Sequence, residues 1–188
     1  MSFLLTENGD YLVTESGDRI IIEDTKDDEL YAHASSHEIG QSNIWIPNIE
    51  REMIEYFSQF PERMHSMPPR KFEELIASIF KNQGFSVSLT PEVKDGGFDV
   101  LAVQNDEYTG ESRYLIECKR YSKDNKVGVG IVRSLYGVVV AEEATKGIIV
   151  TTSFFTRGAI EHSQQHLAKL SLSDYEAVTK WLKELKGP

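Results

Sequence analysis

The amino-acid sequence predicts an α/β fold: a three-layer core with a central mixed β-sheet flanked by helices, preceded by a short N-terminal β-hairpin repeat. Three observations predict it. Two segments near the start, 5–12 and 13–20, repeat one another with glycine at the turn positions. Apolar residues then recur at helical spacing between 47 and 83. After Gly84 the spacing drops to two for three short runs, and beyond residue 129 helical runs enclose one apolar strand.

In the repeat, Leu5-Thr6-Glu7-Asn8-Gly9-Asp10 is matched by Val13-Thr14-Glu15-Ser16-Gly17-Asp18, so short apolar runs are joined by Asn-Gly and Ser-Gly turns. An isolated hairpin is marginal in water, so these strands are expected to pair with the core or with other subunits. An oligomerisation element is the preferred reading, with a decorative meander as the alternative. Residues 23–42, with Asp27-Asp28-Glu29 at their centre, read as an acidic linker. The expected division is therefore 1–44, hairpin repeat and linker, and 45–188, the main domain, with its core at 69–185.

The first helix starts near Pro47, with Ile49, Met53, Ile54 and Phe57 on one face, and Pro61 ends or kinks it. Pro68-Pro69 precede a second helix, 70–83, whose stripe is Phe72, Leu75, Ile76, Ile79 and Phe80 and whose stop is Gly84. Phe85, Val87 and Leu89 alternate as a strand. Gly96-Gly97 make a turn, 98–104 is a second strand, 105–110 a loop and 113–121 a third strand. Helices are expected at 129–144, 157–167 and 174–185, the last anchored by Val178, Trp181 and Leu182, with a strand at 147–152.

Bulk properties narrow the function classes. The longest apolar run, 137–141, is far short of a membrane span. Glu7 and Asp10 interrupt the stretch where the apolar core of a signal peptide would lie, and the single cysteine, Cys118, precludes an internal disulfide. A cytoplasmic protein is expected. The net charge of −10 argues against nucleic acid, but residues 1–66 carry 14 acidic and 4 basic side chains, whereas 67–188 carry 16 of each. A neutral domain still binds DNA when its cations gather on one surface, because phosphate contacts are local. The acidic first third better suits subunit assembly or a protein partner.

The chemistry lies around the loop at 105–110. Side chains alternate along a strand, so Leu115, Glu117, Lys119 and Tyr121 share one face. If the hairpin is symmetric about Tyr108, paired residue numbers sum to 216 and Asp99 lies directly opposite Glu117. Opposed side chains have Cβ atoms about 5 Å apart. Two carboxylates that close repel, and a cation between them relieves it. Oxygen-only ligation with room for water suits magnesium, with manganese as substitute. Lys119 beside them can position water or stabilise charge on a phosphate. A structural ion pair of Asp99 and Glu117 with Lys119 and Arg120 is the competing reading.

Asp99 followed by Glu117-Cys118-Lys119 resembles the D…ExK signature of the restriction-endonuclease-like, PD-(D/E)xK, nuclease superfamily. Within it the chain is similar to the Mrr-type restriction endonuclease catalytic domain, over approximately 69–185. The supporting stretches are Lys71-Phe72-Glu73-Glu74-Leu75-Ile76, Asp95-Gly96-Gly97-Phe98-Asp99-Val100 and Glu117-Cys118-Lys119-Arg120-Tyr121. Two more follow, Val132-Arg133-Ser134-Leu135-Tyr136-Gly137 and Lys146-Gly147-Ile148-Ile149-Val150-Thr151-Thr152-Ser153. The resemblance implies a restriction-endonuclease-like core and a Mg2+-dependent endodeoxyribonuclease. It implies Asp99 and Glu117 as metal ligands with the Cys118 backbone carbonyl as a third. Lys119 is the implied catalytic lysine, and Glu73 a supplementary acid with Glu74 the fallback. A role in restriction, phage-related DNA cleavage or antiviral defence is likewise what the family implies. Two departures stand out: no proline precedes Asp99, which is usual for the Mrr type, and Glu117 stands where many relatives carry glutamine.

Arg120, Lys123 and Lys126 follow the catalytic strand and are candidate phosphate contacts, as is Arg133 on the next helix, against a reading of solvated charge. The Cys118 thiol is expected to pack in the core. His162 and His166 are four apart but have no evident third ligand, so no zinc site is expected. Gly128-Val129-Gly130 fails as a nucleotide loop because position 133 is Arg, and no nucleotide cofactor is expected. The sequence thus points to a homo-oligomeric nuclease acting on DNA. The alternatives are a structure-specific repair nuclease or junction resolvase, and a DNA-binding or assembly protein with little turnover.

Overall fold

The computed structural model describes residues 11–13, 19–21, 47–91 and 96–185. The chain divides into two units, Met1–Trp45 and Ile46–Pro188. In the first, β1 (Tyr11–Val13) pairs antiparallel with β2 (Arg19–Ile21), Leu12 opposite Ile20. This is the hairpin expected around the second turn of the repeat. The turn itself, the first copy with Asn8-Gly9, and the acidic stretch 23–42 lie outside the described residues.

In the second unit, α1 (Pro47–Gln59) gives way to a 3-10 turn at Pro61–His65, which starts at the proline that cannot continue the helix. Met64 on that turn is fully buried. Then α2 (Pro69–Asn82) begins with proline at its first position, where the missing N–H costs nothing. Its stripe of Phe72, Leu75, Ile76 and Ile79 is buried as the periodicity requires, and Gly84, at φ +90°, supplies the left-handed exit.

Five strands form one sheet in the order β3 (Ser86–Leu89), β4 (Val100–Asp106), β5 (Gly110–Lys119), β6 (Lys146–Thr151), β7 (Leu170–Ser173). The first three pair antiparallel and the last three parallel, so β5 is the seam between the halves. The parallel connections are α3 (Val129–Ala141) and α4 (Arg157–Gln165), and α5 (Tyr175–Leu185) closes the chain. One sheet face, carrying Val100, Ile116, Cys118 and Val150, packs with Phe72, Ile76 and Leu182 of α2 and α5. The other, carrying Leu115, Ile149 and Leu170, packs with Val132, Leu135, Val139 and Ala159 of α3 and α4. Three layers result, as expected. Close approach of α3 to β6 requires Gly147, because a Cβ there would lie 2.7 Å from Val139 Cγ2 and 2.9 Å from Leu135 Cγ.

Most element boundaries differ from the sequence reading by one to three residues. The third strand runs 110–119 rather than 113–121, so that Tyr121 lies beyond it. Three differences have a clear cause or consequence. The β4–β5 loop is tighter than 105–110, because Asp106 Oδ1 accepts from the Tyr108 and Thr109 amides at 2.9 and 2.8 Å and Gly110 takes φ +80°. Helix α3 stops at Ala141. Strand β7 was not anticipated: Leu-Ser-Leu-Ser is only four residues and becomes a strand by pairing with β6. Among the described residues, no helix is long and apolar enough to cross a membrane.

Candidate active site

The register of β4 and β5 places Val100 opposite Ile116 and Asp106 opposite Gly110, so paired numbers sum to 216. Asp99, one step beyond the ladder, still donates its amide to the Ile116 carbonyl at 2.8 Å. There the backbone pairing ends, and the Cys118 amide donates instead to Asp99 Oδ2 at 2.7 Å. A strand residue sends its N–H and C=O to the same side, so the Cys118 carbonyl lies on the same edge of β5 as its amide. Asp99 is held from behind by Thr90, whose amide and Oγ1 reach the Asp99 carbonyl at 2.9 and 3.1 Å. Thr90 Oγ1 also lies 3.0 Å from the Phe98 carbonyl. Gly97, at φ +76°, bends the chain into Asp99 where a side chain would strike Val138.

Glu117 and Lys119 stand on the α3–α4 face of β5, 15% and 27% exposed, and form an ion pair with each other. Burial alone would lower the Lys119 pKa. The Glu117 contact and the Asp99 charge outweigh it and hold the ammonium above its usual value. Asp99, Glu117 and Lys119 are thus brought together. Cys118 points to the opposite face, into the core with Ile116 and Val150. Burial first, then the charges of Asp99, Glu73 and Glu117, push its thiol pKa well up, so it stays protonated and inert.

Glu73 lies on the first turns of α2 and is bound by Arg70 Nη1 at 2.9 Å, while Glu74 pairs with Lys71 at 2.9 Å. The same Arg70 nitrogen reaches the Thr90 carbonyl at 2.9 Å. Arg70 therefore couples the helix carrying Glu73 to the segment that holds Asp99, a link with no signal in the sequence beyond an arginine three residues before an acid. Among the described residues, no three His, Cys, Asp or Glu side chains are gathered closely enough to hold a metal ion. The ligand set the resemblance implies here would be two carboxylates and a backbone carbonyl, all oxygen. That fits magnesium, which keeps several waters and takes one or two carboxylates from protein.

The expected cationic residues differ in exposure and partners. Arg120 donates from Nη1 to the His65 carbonyl at 3.2 Å, and its Nε is buried with no hydrogen-bond partner. Lys123 and Lys126 are exposed in the loop after β5. Arg133 is exposed on α3, near enough to His162 to disfavour its protonation. His162 and His166 sit 4.8 Å apart, centroid to centroid, and His166 stacks on Tyr136 at 4.3 Å.

Comparison with known proteins gives a consistent family. The family model Mrr_cat, described as restriction endonuclease, matches residues 64–182, more than half the chain. An uncharacterised protein, y4cE, of Sinorhizobium fredii is 28% identical over 123 residues, covering 65% of this chain and 31% of that protein. The type IV methyl-directed restriction enzyme EcoKMrr of Escherichia coli is 25% identical over 108 residues, 55% of this chain and 34% of the enzyme. The chain thus spans about a third of the length of these relatives. Among solved structures, the DNA modification-dependent restriction endonuclease AspBHI shares the fold at a TM-score of 0.57 and 19% identity, over 85% of this chain and 46% of that one.

Proposed function

This chain belongs to the Mrr-type restriction-endonuclease family, and on that premise we propose that it is a Mg2+-dependent endonuclease hydrolysing DNA phosphodiester bonds. The observation that carries the reading is the convergence of Asp99 with the Glu117–Lys119 pair at the end of the β4–β5 ladder. Asp99, Glu117 and the Cys118 carbonyl would hold the metal. A bound divalent ion would supply electrostatic relief to the phosphate and acidify water. Lys119, kept protonated by its two carboxylate neighbours, presents a cation to the phosphate oxygens where negative charge builds. Glu73 stands behind as an acid whose orientation Arg70 governs.

DNA contacts from Arg120, Lys123 and Arg133 belong to the same proposal, with Lys123 and Arg133 the more exposed. So do a cytoplasmic homo-oligomer and a role in restriction or defence. One relative is named as methyl-directed and one protein of the same fold as modification-dependent, which makes modified DNA the first special substrate to try.

The test is cleavage of supercoiled plasmid, unmodified and methylated, with Mg2+ or Mn2+, by wild type, Asp99→Ala and Lys119→Ala. Metal-dependent nicking abolished in both variants supports the assignment. Cleavage that survives in both places the activity elsewhere. No cleavage of either DNA by wild type returns the reading to a DNA-binding or assembly protein.

A further inference from the structure

Immediately after Lys119 the chain leaves regular pairing, yet it does not leave the sheet's support. Thr151 ends β6, and Thr152 and Ser153 follow in bends; all three are fully buried. Each hydroxyl engages one alternate residue of the chain running on from β5. Thr151 Oγ1 donates to the Lys119 carbonyl at 2.7 Å, and Ser153 Oγ donates to the Lys123 carbonyl at 3.0 Å. Thr152 Oγ1 makes two bonds to one residue, accepting from the Tyr121 amide at 2.9 Å and donating to its carbonyl at 2.6 Å. Thr151 Oγ1 also accepts the Ser153 amide at 3.1 Å, so its hydroxyl is occupied in both senses.

We propose that Thr151, Thr152 and Ser153 form a hydroxyl clamp of positioning residues that fixes the backbone carrying Lys119, and through it the ammonium facing Glu117 and Asp99. The inference rests on the nuclease reading of that site. A parallel ladder would ordinarily supply these bonds from backbone groups. Here the ladder of both strands ends at the Lys119–Thr151 pair, and Thr152 and Ser153 lie in bends. Three side-chain hydroxyls carry the pairing on before the chains bridge again at Val127 and Phe155. Without them the Lys119 carbonyl would keep only the Thr152 amide, at 3.3 Å. A lysine has a long flexible stem, so its ammonium is only as well placed as the backbone at its root. None of the three hydroxyls reaches the Glu117–Lys119 pair itself, so they act through the backbone.

The experiment compares, in the full chain, Thr151→Val and Thr152→Val, which keep shape and lose the hydroxyl, with Thr151→Ser and Thr152→Ser, which keep it. Val178→Ala, a cavity variant on α5 on the far side of the sheet, controls for lost stability. Turnover of a cleavable DNA with Mg2+ is expected to fall about tenfold or more in kcat for the valine variants, with KM within about twofold. The serine variants should recover most of kcat, and Val178→Ala should retain it below its melting temperature. Independently of activity, hydrogen exchange at the Tyr121 amide should quicken about tenfold in Thr152→Val. Valine variants that turn over like the serine variants overturn the clamp, as does a kcat loss matched by Val178→Ala. If wild type cuts no DNA, the nuclease reading falls and the exchange arm decides: an unchanged Tyr121 rate in Thr152→Val overturns the clamp as well.

Discussion

Replacing Asp99 with asparagine separates the two tasks of that side chain. The amide oxygen of asparagine can still accept the Cys118 N–H, now made at 2.7 Å, so the local closure of the β4–β5 ladder survives. Exchanging a charged for a neutral acceptor costs about 1 kcal/mol. Against this, repulsion from Glu117 is removed, on the order of 3 kcal/mol for charges roughly 5 Å apart at an effective dielectric near 20. Attraction to Lys119, of the same order, is lost with it. The net change in fold stability is therefore within about 1 kcal/mol, a shift of roughly 2–4 °C in a domain of this size. Catalysis fares differently. A metal at a phosphate supplies several kcal/mol, and about 4 kcal/mol corresponds to about 10³-fold in rate. Thermal unfolding with and without Mg2+, beside initial rates of plasmid nicking, reads both quantities. Mg2+ at about 100 times its dissociation constant should stabilise wild type by about 2.7 kcal/mol, and leave Asp99→Asn where it was. An asparagine variant that cuts within tenfold of wild type, or that gains as much stability from Mg2+, would refute the reasoning.

Other perturbations test the surroundings. Gly147→Ala should cost about 1–3 kcal/mol, because its Cβ meets Val139 and Leu135 in a packed core, and a melting temperature equal to wild type would contradict that contact. His162 is held below its usual pKa by burial, then by His166 and Arg133. The unfolded chain therefore takes the proton first, so stability is complete above about 6.5 and falls as pH drops below it. Melting scans from neutral to mildly acidic pH should show a steeper loss for wild type than for His162→Gln; parallel curves would dismiss the effect. Lys123→Ala should weaken DNA binding evenly across sequences and reduce the slope of log affinity against log salt by about 1. An unchanged slope would remove Lys123 from the interface.

The register leading to the proposed site was legible in the sequence, because it depends on counting. A symmetric hairpin about Tyr108 is what the sequence predicts, and the observed pairing keeps that symmetry from Val100–Ile116 to Asp106–Gly110, while the Asp99 amide turns to the Ile116 carbonyl. The helical stripe of α2 and the two-residue alternation of β5 were equally direct, since burial on one face enforces the period. What was not legible depends on partners distant in sequence. Strand β7 exists because β6 offers it an edge, and four residues of Leu-Ser-Leu-Ser carry no signal of that offer. Arg70 couples Glu73 to Thr90 across 20 positions. Arg120, singled out from sequence beside other cations, has one guanidinium nitrogen on the His65 carbonyl, 55 residues away. Thr151 and Thr152 read as β-branched strand formers, and only the end of the β5–β6 ladder at Thr151 turns their hydroxyls into backbone partners.

The seam position of β5 bears on how the proposed DNA substrate would enter. Glu117 and Lys119 ride on the central strand, with neighbours on both edges and a helical layer on each face. Such a strand opens only when the whole domain opens, so its amides should rank among the slowest to exchange. The carboxylates and the lysine are then anvil rather than jaw. If the chain takes a duplex, as proposed, accommodation would come from the periphery, where the exposed turn at 122–126 and the edge strand β3 have fewer neighbours to displace.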